Sequence, residues 1–305
     1  MTKLVEIIST DQLILPGLLF ENHQIKTKKI AIWLHGMGDN GIFYKPKLIN
    51  QLAHQLNTIK VDFLAFNNRG AHNQKYLKYY NNQPSDFLGG WTNELIKDCL
   101  KDIDGAINFV QQQDYHKIYL IGHSTGANKA VLYHFKKLKK DPVAAYILLG
   151  PSDDIGCHYL DLSSKFFSNL QLSQQIINQY RPLKKMPKYS GCYPMSAQSC
   201  FDMLNPDGNY NIFPYYEASF KRLGHKKLFQ ELNSLDRNFL IILGQFDEFT
   251  IPFNGPKNIF KLIEKNLQSS VKKFFNYQII NQADHSFNNQ EIELAQRIAQ
   301  WIKKN

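Results

Sequence analysis

The sequence predicts an α/β fold in which a mostly parallel sheet carries helices on both faces. Six short apolar runs recur along the chain, and helical stretches separate them. Their apolar character is continuous and does not alternate, as expected of strands that are buried on both sides. The predicted strands are residues 29–36, 61–67, 117–122, 143–150, 239–244 and 274–280.

Apolar residues at steps of three and four predict two amphipathic helices on this sheet. One series is Leu95, Cys99, Ile103, Ile107 and Val110, and the other is Ile292, Ala295, Ala299 and Ile302. Near the start of the chain, a very short connection separates VEIIST from LILPGLLFE. These runs predict a pair of antiparallel edge strands, because Pro16 cannot donate a hydrogen bond from a central position in a sheet.

Residues 151–236 contain no apolar strand, and a loop of that length needs structure of its own. We therefore predict a helical cap over 151–236, inserted into a core formed by 1–150 and 237–305. The cap is rich in aromatic residues, which form its own small core or, alternatively, line a cleft for a bulky or apolar substrate group. These are Phe166, Phe167, Tyr180, Tyr193, Phe201, Tyr210, Phe213, Tyr215 and Tyr216.

The net charge of +10 comes mostly from lysine, because only five of the 36 basic residues are arginine. Nucleic-acid readers favour the planar guanidinium of arginine, so this composition argues against a nucleic-acid partner. The start of the chain lacks the clean apolar core of a signal peptide, and no apolar run is long enough to span a bilayer. Four cysteines without CxxC spacing predict free thiols and a cytoplasmic location.

The stretch IGHSTGA at 121–127 has the GxSxG pattern, with Ser124 between Gly122 and Gly126. Three fixed residues alone are a weak signal, but a predicted strand precedes this motif and a predicted helix, ANKAVLYHFKKL, follows it. That order is typical of a nucleophile elbow, a tight turn that exposes a catalytic serine. The motif therefore predicts Ser124 as a nucleophile.

A serine hydroxyl needs a base, an orienting acid and donors for the oxyanion. In WLHGMGDNG the chain turns after Leu34, so the amide of Met37 can join the amide of Thr125 as the two donors. His285 in NQADHSF follows the last predicted strand and is the candidate base. No metal ion or diffusible cofactor is required by this chemistry.

Asp247 in ILGQFDEF is the favoured acid, because it follows a strand and keeps the chain order nucleophile, acid, base. Asp153 and Asp154 in GPSDD follow the preceding strand and stay open as alternatives.

Together these residues resemble the α/β-hydrolase family, and the resemblance extends over nearly the whole chain. The matching blocks are LPGLLFE, WLHGMGDN, FLAFNNRG, DCLKDIDGAINFV, LIGHSTGANKAV, LLGPSDD, LGQFDEF and ADHSF. They are similar to a bacterial esterase-like subgroup that is distantly similar to fungal siderophore esterases of the fusarinine type. The resemblance implies Ser124 as nucleophile, Asp247 as acid, His285 as base, and the Met37 and Thr125 amides as oxyanion donors.

The predicted function is hydrolysis of a small-molecule carboxylic ester through a Ser-His-Asp triad and an acyl-enzyme intermediate. A thioesterase, amidase or acyltransferase could use the same triad, and a non-catalytic binding protein of this fold is an alternative from another class. The sequence leaves the physiological substrate and the oligomeric state open.

Overall fold

The computed structural model describes residues 1–22, 25–81 and 83–305 of the chain. Within these ranges the strands are β1 (Thr2–Ile8), β2 (Ile14–Phe20), β3 (Lys29–Leu34), β4 (Asp62–Phe66), β5 (Lys75–Leu77), β6 (Phe87–Gly89), β7 (Lys117–His123), β8 (Val143–Leu149), β9 (Phe239–Gly244) and β10 (Phe275–Ile280). The helices are α1 (Pro46–Thr58), α2 (Cys99–Gln112), α3 (Thr125–Lys137), α4 (Asp154–Leu162), α5 (Phe166–Asn178), α6 (Ala197–Leu204), α7 (Tyr215–Ser219), α8 (Pro256–Asn266), α9 (Ser269–Lys272) and α10 (Glu291–Lys304).

Eight strands form the central sheet in the order β1-β2-β4-β3-β7-β8-β9-β10. The six strands from β4 to β10 in that order are parallel, and they are the six that the apolar runs predict. The predicted fold class is therefore confirmed. In such a sheet the carboxyl ends of the parallel strands meet at one edge, where ligands bind.

The predicted antiparallel pair forms at the N-terminus, with β1 at the edge of the sheet. However, β2 is not an edge strand, because it also pairs antiparallel with β4 from Gly17 to Phe20. Pro16 lies just before that ladder, and its carbonyl oxygen accepts a hydrogen bond from the amide of Asn67. The missing N–H of Pro16 therefore costs no bond within the β2–β4 ladder, which is why a proline is tolerated there.

Helices cover both faces of the sheet, as predicted. On one face α1 and α10 pack together over Ala31 and Trp33 of β3. On the other face α2, α3 and α8 contribute to the apolar cluster that contains Ile30 and Ile32. The helical pattern predicts that Ile292 of α10 packs on the sheet, and this is wrong because Ile292 is 55% exposed. It lies in the first turn of α10, beyond the part of the helix whose Leu294, Ala295 and Ile298 are buried.

Between β8 and β9 the chain forms α4 to α7, linked by loops. Four of the cap aromatics, Phe166, Tyr210, Phe213 and Tyr215, are buried to 1% exposure or less. They belong to the apolar cluster that continues from the α2–α3 face of the sheet, so they join the main core and do not form a separate small core of the cap. The division of the chain into core and cap stays a prediction. None of the described helices is long and apolar enough to cross a membrane.

Candidate active site

Ser124 occupies the sharp turn between β7 and α3. Its backbone has φ 55° and ψ −129°, a combination that non-glycine residues rarely adopt. The turn is possible because its neighbours are glycines: a Cβ atom at Gly122 would overlap the carbonyl oxygen of Gly126, and one at Gly126 would overlap that of Leu34. The turn therefore has the shape of the predicted nucleophile elbow, with Ser124 half-buried at its tip.

Asp247 and His285 meet at the same edge of the sheet as Ser124. Asp247 follows β9 and His285 follows β10, and the imidazole Nδ1 lies 3.0 Å and 3.1 Å from the two Asp247 carboxylate oxygens. Both side chains are buried, at 1% and 5% exposure. The Asp247 carboxylate also accepts a hydrogen bond of 3.0 Å from the amide of Phe249, which fixes its orientation. With Asp247 accepting at Nδ1, Nε2 is the imidazole atom left free to accept a proton.

Ser124 and His285 line one cavity of about 340 Å³, which we call the serine cavity. Its walls also include Met37 and Thr125, together with residues of the loop after β3, of α4 and of the loop after β9. The Nε2 atom of His285 is buried and has no hydrogen-bond partner among the described residues. An unpaired acceptor is costly to bury, so this nitrogen is available to a group that enters the cavity.

The amides of Met37 and Thr125, the predicted oxyanion donors, are both without an acceptor in the described part of the chain. Thr125 is the first residue of α3, so its amide N–H has no acceptor within the helix. The amide of Met37 donates to no acceptor in the described part of the chain. Gly36 keeps the two segments close, since a Cβ atom there would lie 3.0 Å from the Cβ of Ser124. Both residues line the cavity that contains the serine.

Asp153 and Asp154, the alternative acids, make other contacts. Asp153 caps α4 by accepting from the amide of Gly156 at 2.7 Å, and it also accepts from the amide of Tyr216 at 2.6 Å. Asp154 accepts from the Ser152 hydroxyl and from the Asn128 side chain. Burial raises the pKa of Asp153 to about 7 and that of Asp154 to about 6. Neither carboxylate forms a hydrogen bond to His285, whereas Asp247 does.

His123, the residue before Ser124, holds the loop that contains His285. Its Nε2 atom donates to the carbonyl oxygen of His285 at 2.9 Å, and its ring stacks on Trp33. Burial lowers the pKa of His123, so the ring stays neutral at neutral pH. The only sequence signal for this role is its place beside the serine, and that signal does not reveal a bond to a residue 162 positions away.

The cap contributes no aromatic side chain to the serine cavity. The residues that α4 supplies are Asp154, Cys157, His158 and Asp161, and the aromatic residues in the walls are Tyr44 and Phe249, which lie outside the cap. The alternative prediction, in which the cap aromatics line the substrate cleft, is therefore wrong for this cavity. In the described ranges no three His, Cys, Asp or Glu side chains are grouped as metal ligands would be.

Three comparisons place the chain among known proteins. Residues 71–303 match the model of a family described as "Protein of unknown function (DUF1749)". A Mycoplasma pneumoniae protein named "Putative esterase/lipase 3" is 28% identical over 195 residues, which cover 59% of this chain and 64% of that protein.

Two solved structures share the fold. Est1E from Butyrivibrio proteoclasticus, solved with ferulic acid bound, superposes with a TM-score of 0.63 at 14% identity and covers 98% of both chains. A Xanthomonas campestris protein described as an α/β serine hydrolase without a lid superposes with a TM-score of 0.53 at 12% identity, over 99% of this chain and 94% of its own. These likenesses show the α/β-hydrolase fold. The finer resemblance to fusarinine-type siderophore esterases stays a prediction.

Proposed function

The chain belongs to the DUF1749 family, and we propose that it is a serine hydrolase that cleaves a carboxylic ester through a Ser-His-Asp triad. The observation that carries the proposal is the pairing of Asp247 with His285 Nδ1, which leaves the buried Nε2 of His285 unpaired in the cavity that contains Ser124. The strained backbone of Ser124 supports a nucleophile at this position. The names of the Mycoplasma protein and of Est1E agree with an esterase.

In the proposed first step, His285 Nε2 accepts the proton of the Ser124 hydroxyl while the serine oxygen attacks the ester carbonyl. The tetrahedral oxyanion lies against the amides of Met37 and Thr125, and the positive end of the α3 dipole favours the negative charge. His285 then donates its proton to the alcohol oxygen as the ester bond breaks. This leaves the acyl group on Ser124.

In the second step, His285 Nε2 accepts a proton from water, which attacks the acyl-enzyme carbonyl. The same two amides stabilise the second oxyanion, and the proton returns to Ser124 as the carboxylic acid leaves. Asp247 keeps its negative charge throughout and stabilises the imidazolium that forms in both steps. Each step therefore uses the serine, the histidine, the aspartate and the two amides, with His285 acting first as base and then as acid.

Replacing Ser124 with alanine tests the proposal directly. We expect kcat/KM for p-nitrophenyl butyrate to fall by roughly 10³ or more in Ser124→Ala, because the variant has no nucleophile. Ser168, an exposed serine of α5, provides a matched control, and Ser168→Ala should keep the full rate. An unchanged rate in Ser124→Ala would refute the proposal.

A fluorophosphonate probe separates an enzyme from a non-catalytic protein of the same fold. The probe reacts with an activated serine, so we expect stoichiometric labelling of the wild-type chain at Ser124 and none of Ser124→Ala. Absence of labelling in the folded wild-type protein would favour the non-catalytic alternative. Adding alcohols or thiols to the ester assay and measuring the products then identifies the acyl acceptor.

A further inference from the structure

The serine cavity has a negative charge, although the whole chain has a net charge of +10. Four carboxylates line it, those of Asp39, Asp154, Asp161 and Glu248, against the single ammonium group of Lys45. The unpaired Nε2 of His285 faces the same cavity, which marks it as a ligand site independently of the carboxylates.

None of the four carboxylates forms an ion pair with a lysine or arginine of the described residues. Within residues 1–22, 25–81 and 83–305, the one ion pair that involves any of them joins Asp39 to His123, whose pKa burial lowers. Asp161 is exposed on α4, and Glu248 accepts only the backbone amide of His285. The chain has 36 lysine and arginine residues, yet none within the described ranges lies within ion-pair distance of these four carboxylates. The field of a carboxylate in an ion pair is largely cancelled by its partner. These four carboxylates form no such pair with a lysine or arginine, so their electric field acts on the cavity.

The remaining groups near the cavity do not cancel this charge. Burial lowers the pKa of His158, so its ring is neutral at neutral pH. Lys129, behind the serine in α3, is buried and paired with Glu94. Burial raises the pKa of Asp154 only to about 6, so this carboxylate is mostly ionised above neutral pH.

Lys45 is the group that could instead favour an anionic substrate. It is half-buried and lies near Asp39, Asp284, Glu248 and Glu291, whose negative charges act on its ammonium group. Two of these carboxylates belong to the cavity and two lie outside it. The charge of Lys45 is therefore already opposed by its surroundings, whereas Asp161, which also lines the cavity, forms no ion pair among the described residues.

We propose that the substrate of this site is an ester that carries a positive charge, such as an ammonium group, on its acyl or alcohol half. The inference rests on the proposed ester hydrolysis and adds the substrate class. A cation in the cavity would face three uncompensated negative charges, four carboxylates less one ammonium. At about 7 Å from the ligand cation in a water-like medium, each of these negative charges strengthens its binding about threefold before salt screening.

The experiment compares isosteric esters that differ only in charge. For the acyl half, p-nitrophenyl 4-(trimethylammonio)butanoate is compared with p-nitrophenyl 5,5-dimethylhexanoate. Each kcat/KM is divided by the rate constant for hydrolysis of the same ester by hydroxide, which corrects for the intrinsic reactivity of the two esters. For the alcohol half, butyrylcholine is compared with 3,3-dimethylbutyl butyrate by titrating the acid released. We expect a preference for the cation of about tenfold or more in at least one pair, and a smaller one in about 0.5 M salt.

Asp161 is suitable for variants because it is exposed, so its replacement leaves the fold intact. We expect Asp161→Asn to lower the preference about threefold and Asp161→Lys to lower it about tenfold. Glu264, an exposed carboxylate of α8 outside the cavity walls, is the matched control, and Glu264→Gln should keep the wild-type preference.

Equal rates within both pairs, or a faster reaction with p-nitrophenyl 4-sulfobutanoate than with the neutral ester, would overturn the inference. In either case hydrolysis of neutral p-nitrophenyl butyrate that requires Ser124 would leave the proposed function standing. If no ester is hydrolysed in a Ser124-dependent way, the proposed function fails and the substrate inference fails with it.

Discussion

Replacing Asp247 with asparagine tests the division of tasks within the site. The carboxylate oxygen Oδ1 accepts from both His285 Nδ1 and the amide of Phe249, at 3.0 Å each. An asparagine oxygen at that position can keep both hydrogen bonds. Its NH2 group then replaces Oδ2, 3.1 Å from His285 Nδ1, and favours the imidazole tautomer that carries its proton on Nε2, which adds to the loss of activity. The variant also removes the negative charge beside the imidazole.

The size of the effect follows from that charge. With a nitrogen–oxygen distance of 3.0 Å, the centres of the carboxylate and the imidazolium lie about 4 Å apart, where two unit charges interact by about 4 kcal/mol at an effective dielectric constant of 20. The interaction exists only while His285 is protonated, in the transition state and intermediate. A loss of about 4 kcal/mol there lowers kcat by roughly 10³.

The assay is steady-state hydrolysis of p-nitrophenyl butyrate by the wild type and by Asp247→Asn, with thermal unfolding as a check on the fold. Asp154→Asn serves as the comparison, because Asp154 is the alternative acid that lines the same cavity. We expect a loss below tenfold in Asp154→Asn. A loss below tenfold in Asp247→Asn together with a loss near 10³ in Asp154→Asn would show that the acid is assigned to the wrong residue.

Three other predictions concern stability, each measured by urea unfolding. Burial lowers the pKa of His35 to about 3, so below a pH of about 6.5 the unfolded chain binds a proton at this residue and the folded chain does not. The free energy of unfolding should therefore fall by about 2 kcal/mol between pH 7 and pH 5 on account of His35, and His35→Gln should remove this part of the pH dependence. Glu94→Gln leaves the buried ammonium of Lys129 unpaired and should cost about 3–5 kcal/mol, most of which Lys129→Met should restore in the double variant. Gly126→Ala should lower the free energy of unfolding by about 1–3 kcal/mol, because the added Cβ atom overlaps the Leu34 carbonyl oxygen. A higher free energy of unfolding, which alanine normally gives in place of glycine within a helix, would contradict this close packing.

The parallel strands were predictable because burial on both faces leaves a local signal, a short and continuous apolar run. The position of β2 was not predictable in the same way. Pro16 suggests an edge strand, but whether its missing N–H matters depends on where the ladder with β4 begins, and that is set by the partner strand. The prediction that Ile292 packs on the sheet is wrong for a similar reason, since the helical period does not reveal how far the covered face of α10 extends.

The residues that meet at the serine cavity were predictable wherever each follows a strand. Ser124, Asp247 and His285 follow β7, β9 and β10, and parallel strands bring their carboxyl ends together regardless of the loops. The contact between His123 and the His285 carbonyl has no such regularity, because it depends on the path of one loop.

The charge of the cavity depends on still longer-range packing. Asp39, Asp161 and Glu248 are ordinary surface residues in the sequence, and they matter together only because the β3 loop, α4 and the β9 loop enclose one volume. The chain has a net charge of +10, whereas the walls of the enclosed volume carry more carboxylates than ammonium groups. Close to the serine the local field outweighs the distant lysines, because solvent screens charges beyond about 10 Å while the cavity carboxylates lie within that range of a bound ligand. Composition therefore describes how the chain interacts with bulk solution, and only the folded arrangement of these loops determines which substrate charge the site attracts.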